Sequence, residues 1–161
     1  MGLPELSAVL WKERHLLELL LFKLETEQLL LAAGRSRWLA RASGEVEMVL
    51  GELKHTELER AVATTGAAAT LGLGADASLR ELADAAPAPW RNLLTEHRSA
   101  FLALTDEVSE LVRTNRELLG RGQRAVHQVL AGIGADGIEA NDPATSRYQT
   151  SARRVLIDEA L

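Results

Sequence analysis

The chain has 161 residues, 47% of them hydrophobic but only 4% aromatic, with 18 Lys and Arg against 23 Asp and Glu for a formal net charge of −5. That length and mix suit one domain whose core is built from Leu, Ala and Val, the composition helices use. An acidic balance with both signs interspersed leaves no electrostatic footprint for nucleic acid, and the absence of cysteine rules out a disulfide framework or a thiolate metal site.

The apolar run at 16–22 is interrupted by Glu18 and followed at once by Lys23 and Glu25, without a small-residue cleavage site, so it does not read as a signal peptide. No stretch reaches the ~18 uncharged residues a membrane span requires. The expectation is a cytoplasmic protein with no membrane insertion.

The first helix is predicted from Pro4, a good first-turn residue, to about Ala33. Leu6, Leu10, Leu17, Leu20, Leu24 and Leu31 follow a three-four rhythm. Leu16, Leu19, Leu21, Phe22, Leu29 and Leu30 widen the stripe, which predicts a core face shared by two neighbouring helices. Gly34-Arg35-Ser36 reads as a tight turn, with Gly in the left-handed region and Ser36 capping the next helix. So short a turn makes that helix an antiparallel neighbour.

The second helix is predicted from Ser36 to about Ala69. Its seam is Leu39, Ala42, Val46, Val49 and Leu53, with Leu50, Leu58, Ala61 and Val62 widening it later. The stretch 63–75, rich in Ala, Thr and Gly, has little to bury and should fray near Gly72. Ser78-Leu79-Arg80-Glu81 is a capping box that opens a short helix. That helix stops before Pro87, because the residue preceding proline disfavours helical geometry. Ala86-Pro87-Ala88-Pro89 then predicts an extended connector delivering the chain to Trp90.

The longest element is expected over 90–133, roughly 65 Å of helix. Leu94, His97, Phe101, Leu104, Val108, Leu111, Asn115, Leu118, Gly122, Ala125 and Val129 alternate steps of three and four, a heptad seam. Its cover is expected from helices one and two. Asn115 on that seam either fixes the register of the packed helices or, if the seam drifts, faces water. From Gly134 the composition shifts to Gly, Asn, Asp, Pro and Ser, which reads as linker, before Val155, Leu156, Ile157 and Leu161 regain an apolar group. The predicted organisation is a bundle domain at 1–133 and a flexible C-terminal tail at 134–161. The fold class is all-α: an antiparallel bundle of three long helices with coiled-coil-like packing, plus one short connecting helix.

Nothing in this pattern carries catalysis. A carboxylate-bridged metal site in a bundle needs two Glu-x-x-His pairs and two further Glu residues. Glu52-Leu-Lys-His55 is the one such pair, and it reads as an ion-pairing surface. His15, His55, His97 and His127 share no ligand spacing, and His97 falls on the seam as a core residue. No nucleophile elbow, phosphate loop or dinucleotide fingerprint is present. No catalytic residue, cofactor or metal is therefore expected.

A mismatch of lengths is more telling. A second helix of about 34 residues covers the third only to about Gly120 or Gly122. The remaining turns carry Val126, Val129, Leu130 and Ile133, while Gly120, Gly122, Gly132 and Gly134 weaken their helix propensity. An apolar, intrinsically weak helix end suits a segment that receives a partner helix. The predicted contact residues are Leu118, Leu119, Val126, Val129, Leu130 and Ile133.

The stretch LFKLETEQLLLAAGRSRWLAR at 21–41, Ser78-Leu79-Arg80-Glu81-Leu82-Ala83 leading to Ala86-Pro87-Ala88-Pro89-Trp90, and Asn115-Arg116-Glu117-Leu118-Leu119 together resemble the FlgN family of flagellar export chaperones, in the form found in high-GC Gram-positive bacteria. The resemblance covers essentially the whole chain. It implies a cytoplasmic chaperone of the flagellar type III export pathway, holding the C-terminal helical segments of hook-associated (hook–filament junction) proteins before export, without nucleotide hydrolysis. The family's client site lies in the C-terminal part, which corresponds here to 118–133. The export apparatus is a further expected partner, and the expected state is a monomer or weak homodimer. The rival readings are a self-associating coiled-coil scaffold and a small all-α regulator.

Overall fold

The N-terminal heptads become helix α1, Leu3–Ala32, in a computed structural model that describes residues 2–132. Pro4 lies in its first turn, where a missing N–H costs nothing, and the Gly2 N–H donates to Glu5 Oε2 at 2.7 Å. The helix closes in a Schellman turn: Gly34 takes φ +66, Gly34 N–H donates to Leu31 O and Arg35 N–H to Leu30 O. Helix α2, Ser36–Leu71, follows at once. Ser36 is already inside it, and Arg35 occupies the cap position without a side-chain bond, because the Schellman turn uses up Gly34 and Arg35. The capping role predicted for Ser36 is thus not the observed one.

α2 outruns its predicted end at Ala69 and finishes at Gly72, φ +72, where Leu73 N–H donates to Ala68 O at 2.8 Å. The Ala-rich stretch is a working part of the core, with Ala63, Ala67 and Ala68 all buried. Small side chains there let α2 lie close to its neighbours. Helix α3, Leu79–Ala85, opens on the predicted capping box: Glu81 N–H donates to Ser78 Oγ and Ser78 N–H to Glu81 Oε2. Helix α4, Ala88–Gly132, begins before Trp90, so the extended connector shrinks to Ala86 and Pro87. The Pro87 carbonyl accepts from both Trp90 and Arg91 N–H at 3.0 Å, and Pro89 sits in the first turn that tolerates it.

Direction follows from the pairs that cross between helices. Lys12–Glu59 at 2.7 Å and Lys23–Glu45 at 2.8 Å set α2 antiparallel to α1, while Arg14–Glu96 and Asn115–Glu27 set α4 parallel to it. α1 is the central helix. It packs against both α2 and α4, whose Cα atoms nowhere come within 8 Å of each other among the described residues. α3 packs along α4 and reaches α2, filling the wedge between them. The cover of α4 therefore comes from α1 and α3, not from helices one and two as the sequence suggested.

With neighbours on two flanks only, the broad apolar stripe of α1 is not all core. Leu16 and Leu21 pack against the core, but Leu30 is half-buried, and Leu19, Phe22 and Leu29 are 41%, 60% and 70% exposed. On α2, Leu50 is buried, whereas Ala61 is exposed and Leu58 and Val62 stand in solvent with Met48. Gly44 and Gly51 lie on that same outer side of α2. Each costs the helix about 1 kcal/mol relative to Ala, yet a Cβ at either would meet no heavy atom within 4 Å.

The α4 seam starts as predicted, with Leu94, His97, Phe101, Val108 and Asn115 buried and Leu104 and Leu111 half-buried. After Val108 the buried line moves one residue forward to Val112 and then, half-buried, to Leu119. A straight helix drifts by ~20° per heptad against a strict seven-residue repeat, so the seam cannot hold its letter positions over this length. The predicted boundary at 133/134, the tail 134–161 and Ile133 lie outside the described residues.

Candidate functional site

What an α4 extension can do depends on where α4 is anchored, and polar groups in the core set that position. Continuing the α1 steps Leu3, Leu6, Leu10 lands on Glu13, and continuing Leu17, Leu20, Leu24 lands on Glu27. Both side chains are 0% exposed. α2 answers the first with Arg60, at the seam position between Thr56 and Ala63: its Nη1 lies 3.2 Å from Glu13 Oε1. The second is met from both sides, Ser43 Oγ donating to Glu27 Oε2 at 3.1 Å and Asn115 Nδ2 donating to Glu27 Oε1 at 3.3 Å. Asn115 Nδ2 also donates to the Leu24 carbonyl at 3.0 Å. Asn115 is thus the buried, register-fixing residue, and the seam does not drift far enough to turn it to water.

A third polar group ties the lower part of α4 to α1. His97 is 0% exposed, its Nδ1 3.4 Å from Arg14 Nη1, and the Trp11 ring meets it edge to face at a centroid distance of 4.8 Å. Arg14 also lies over the Trp11 ring and 3.7 Å from Glu96. Arginine can only donate, so Nδ1 accepts and the ring proton sits on Nε2. Nε2 finds no hydrogen-bond partner among the described residues.

Burial pushes the His97 imidazole below its ordinary value of 6.5, Arg14 acts in the same direction, and Glu96 opposes both. Above that value the histidine is neutral in both the folded and the unfolded chain. Below it the unfolded chain binds the proton first, so this residue makes stability fall as pH drops from the ordinary value toward the folded one. His97→Gln should therefore show a smaller loss of urea midpoint between about pH 7.5 and about pH 5.5 than the parent chain. An equal loss in the two proteins would remove His97 as a source of pH dependence.

These ties fix the height of α4. Asn115 lies level with Leu24 and Glu27, so the end of α1 at Ala32 lies near residue 120 of α4, and α2 begins at that same end. From there to Gly132 the helix continues for roughly 18 Å beyond the α1–α2 turn. Of the predicted contact residues, Leu119 is half-buried against the top of the core and Leu118 is half-buried beside it. Val126, Val129 and Leu130 belong to the projecting part of α4, and Ile133 falls beyond the described residues. Arg121, Gly122, Arg124, Ala125 and Gln128 on the projection are exposed.

Sequence reasoning missed Glu13, Glu27 and Arg60. The signal was available: each falls where counting three and four through the apolar positions requires a residue, and only its polarity hid it. Glu52 and His55 do lie on the surface, His55 paired to Glu59 at 3.4 Å. Among the described residues no group of three or more His, Asp or Glu could hold a metal ion, and no helix is long and apolar enough to cross a membrane. A sequence model of one protein family, described as FlgN protein, matches residues 1–137. No curated protein and no solved structure matches the chain.

Proposed function

The chain belongs to the FlgN family of flagellar export chaperones, and from that premise we propose that it holds the C-terminal helical segments of hook-associated proteins in the cytoplasm before their export. The observation that carries this reading is the projection of α4 past the α1–α2 turn. In the sequence, the three-four apolar spacing continues past the end of α1 through Val126, Val129, Leu130 and Ile133. A client helix laid along that seam would take over the place of α1, one turn after another, and bury the same face.

The chemistry suits reversible holding. Helix-in-groove contacts bury apolar residues at three-four spacing and require no covalent step or nucleotide. Gly120 and Gly122 lower the helix propensity at the foot of the projection, which allows it to adjust to the client. Clients whose termini coil together only after export need such cover beforehand. The export apparatus would then receive chaperone and client together.

Replacing Val126, Val129 and Ile133 together by Ser tests this. Client affinity, measured by calorimetry with a hook-associated C-terminal peptide, should fall at least about a hundredfold, since three buried aliphatic contacts at ~1 kcal/mol or more each are lost. The thermal midpoint of the bundle should stay in place, because these residues lie beyond α1. Unchanged affinity in the folded variant would sink the assignment of the site.

A further inference from the structure

Charge separates at one end of the bundle. Residues 28–44, which span the end of α1, the turn and the start of α2, hold Arg35, Arg37 and Arg41 and no Asp or Glu. Residues 118–132 of α4 hold Arg121 and Arg124 and again no Asp or Glu. The two stretches stand level, since the end of α1 lies near residue 120 of α4. Together they carry +5 in a chain whose formal net charge is −5, so the remainder carries −10.

The acids bordering this end are already engaged. Glu27 is buried and meets Ser43 and Asn115, Lys23 holds Glu45 at 2.8 Å, and Arg113 holds Glu117 at 2.7 Å. Arg41 reaches that same Glu45, at 3.4 Å. Arg35, Arg37, Arg121 and Arg124 are exposed and form no ion pair among the described residues. Apolar surface lies with them: Trp38 is 49% and Leu29 70% exposed, and the Arg37 guanidinium lies 5.0 Å from the Trp38 ring centre. Trp and Arg beside an apolar seam are the side chains that most often anchor a contact. Like charges gathered this way repel in the free chain, and an anionic partner relieves the repulsion.

Size selects among anions. A nucleic acid or an anionic bilayer runs past this end onto the remainder, whose −10 repels it. A short helix laid along the roughly 18 Å projection stays inside the basic zone. We propose that the chain binds an acidic amphipathic helix, with apolar residues at three-four spacing toward α4 and Asp and Glu on the borders facing these arginines. The inference rests on the client reading above and adds the charge by which a client is steered and selected.

Calorimetry of the full chain with a hook-associated C-terminal peptide should show affinity falling about tenfold between about 50 mM and about 500 mM salt. Replacing Arg35, Arg37, Arg121 and Arg124 together by Gln should weaken binding about tenfold at low salt, since each exposed pair contributes little. Lys at the same four positions should keep most of the affinity, because the charge remains. Arg80→Gln, an exposed arginine on α3, should leave it unchanged, and all variants should keep the parent thermal midpoint. If the Gln variant binds as tightly as the parent while the Val126, Val129 and Ile133 replacement still abolishes binding, the proposal is overturned and the client reading stands. If the peptide does not bind at all, the client reading falls, and a designed helix with Leu at three-four spacing decides the proposal. The chain must then prefer Glu borders over Gln borders by about tenfold or more. Tighter binding of duplex DNA or phosphatidylserine vesicles overturns the proposal. So does a gain in affinity when Asp136, Glu139 and Asp142 become Asn, Gln and Asn, since the chain's own tail would then be the occupant.

Discussion

Arg60→Ala is expected to destabilise the fold by about 3 kcal/mol, read from urea denaturation at neutral pH. Arg60 contributes the guanidinium 3.2 Å from Glu13, whose carboxylate is 0% exposed between α1 and its neighbours. Removing the cation leaves a buried anion short of its charge partner, and the low-dielectric surroundings offer little screening. Replacing both residues by Leu should restore most of the loss or exceed the parent, because an apolar pair of similar volume needs no desolvation. A deficit under about 1 kcal/mol in Arg60→Ala would mean that Glu13 is effectively hydrated. The contrast between single and double variants separates a charge effect from lost packing.

Leu24→Ala should cost about 3–5 kcal/mol and lower the thermal midpoint by roughly 10 °C. Leu24 is 0% exposed, and the α1 turn it belongs to also receives Asn115 of α4 through its carbonyl. The cavity would open where the apolar core meets the polar layer of Glu27, Ser43 and Asn115, a place with little freedom to collapse. Leu29→Ala, five residues on, should change stability by no more than about 0.5 kcal/mol, because that leucine is 70% exposed. Equal losses at the two positions would contradict the two-flank packing of α1. The pair thus tests which leucines of a continuous run do the stabilising.

The same leucine run shows where a sequence stops informing. Spacing identifies a helix from Pro4 onward and marks Leu6, Leu10, Leu17, Leu20, Leu24 and Leu31 as core; the first five are buried and Leu31, at the helix end, is half-buried. It could not say that Phe22 and Leu29 stand in solvent, because the width of a stripe reports how many apolar residues a helix has, not how many neighbours arrive. α1 has two such neighbours, α2 and α4, while α3 packs on α4 and reaches α2 instead. The candidate site divides in the same way. The surplus length of the last helix could be read by counting residues, whereas its height on α1 rests on Asn115 meeting Leu24 and Glu27.

The sequence by itself determined the helices, their breaks at Gly34 and Gly72, the capping box at Ser78 and the all-α class, since each depends on neighbours within about four residues. It also carried the family resemblance that the match over residues 1–137 bears out. His97 was already legible as core from its seam position, but only the tertiary structure decided that Glu13, Glu27 and Asn115 are interior. A polar residue is buried when a partner on another helix compensates its desolvation, and that partner lies between 16 and 91 positions away along the chain. Only the tertiary structure, too, left Met48, Leu58 and Val62 on an open face. Their spacing matches that of the core, and which of two equivalent stripes turns inward is settled by the helices packed against them.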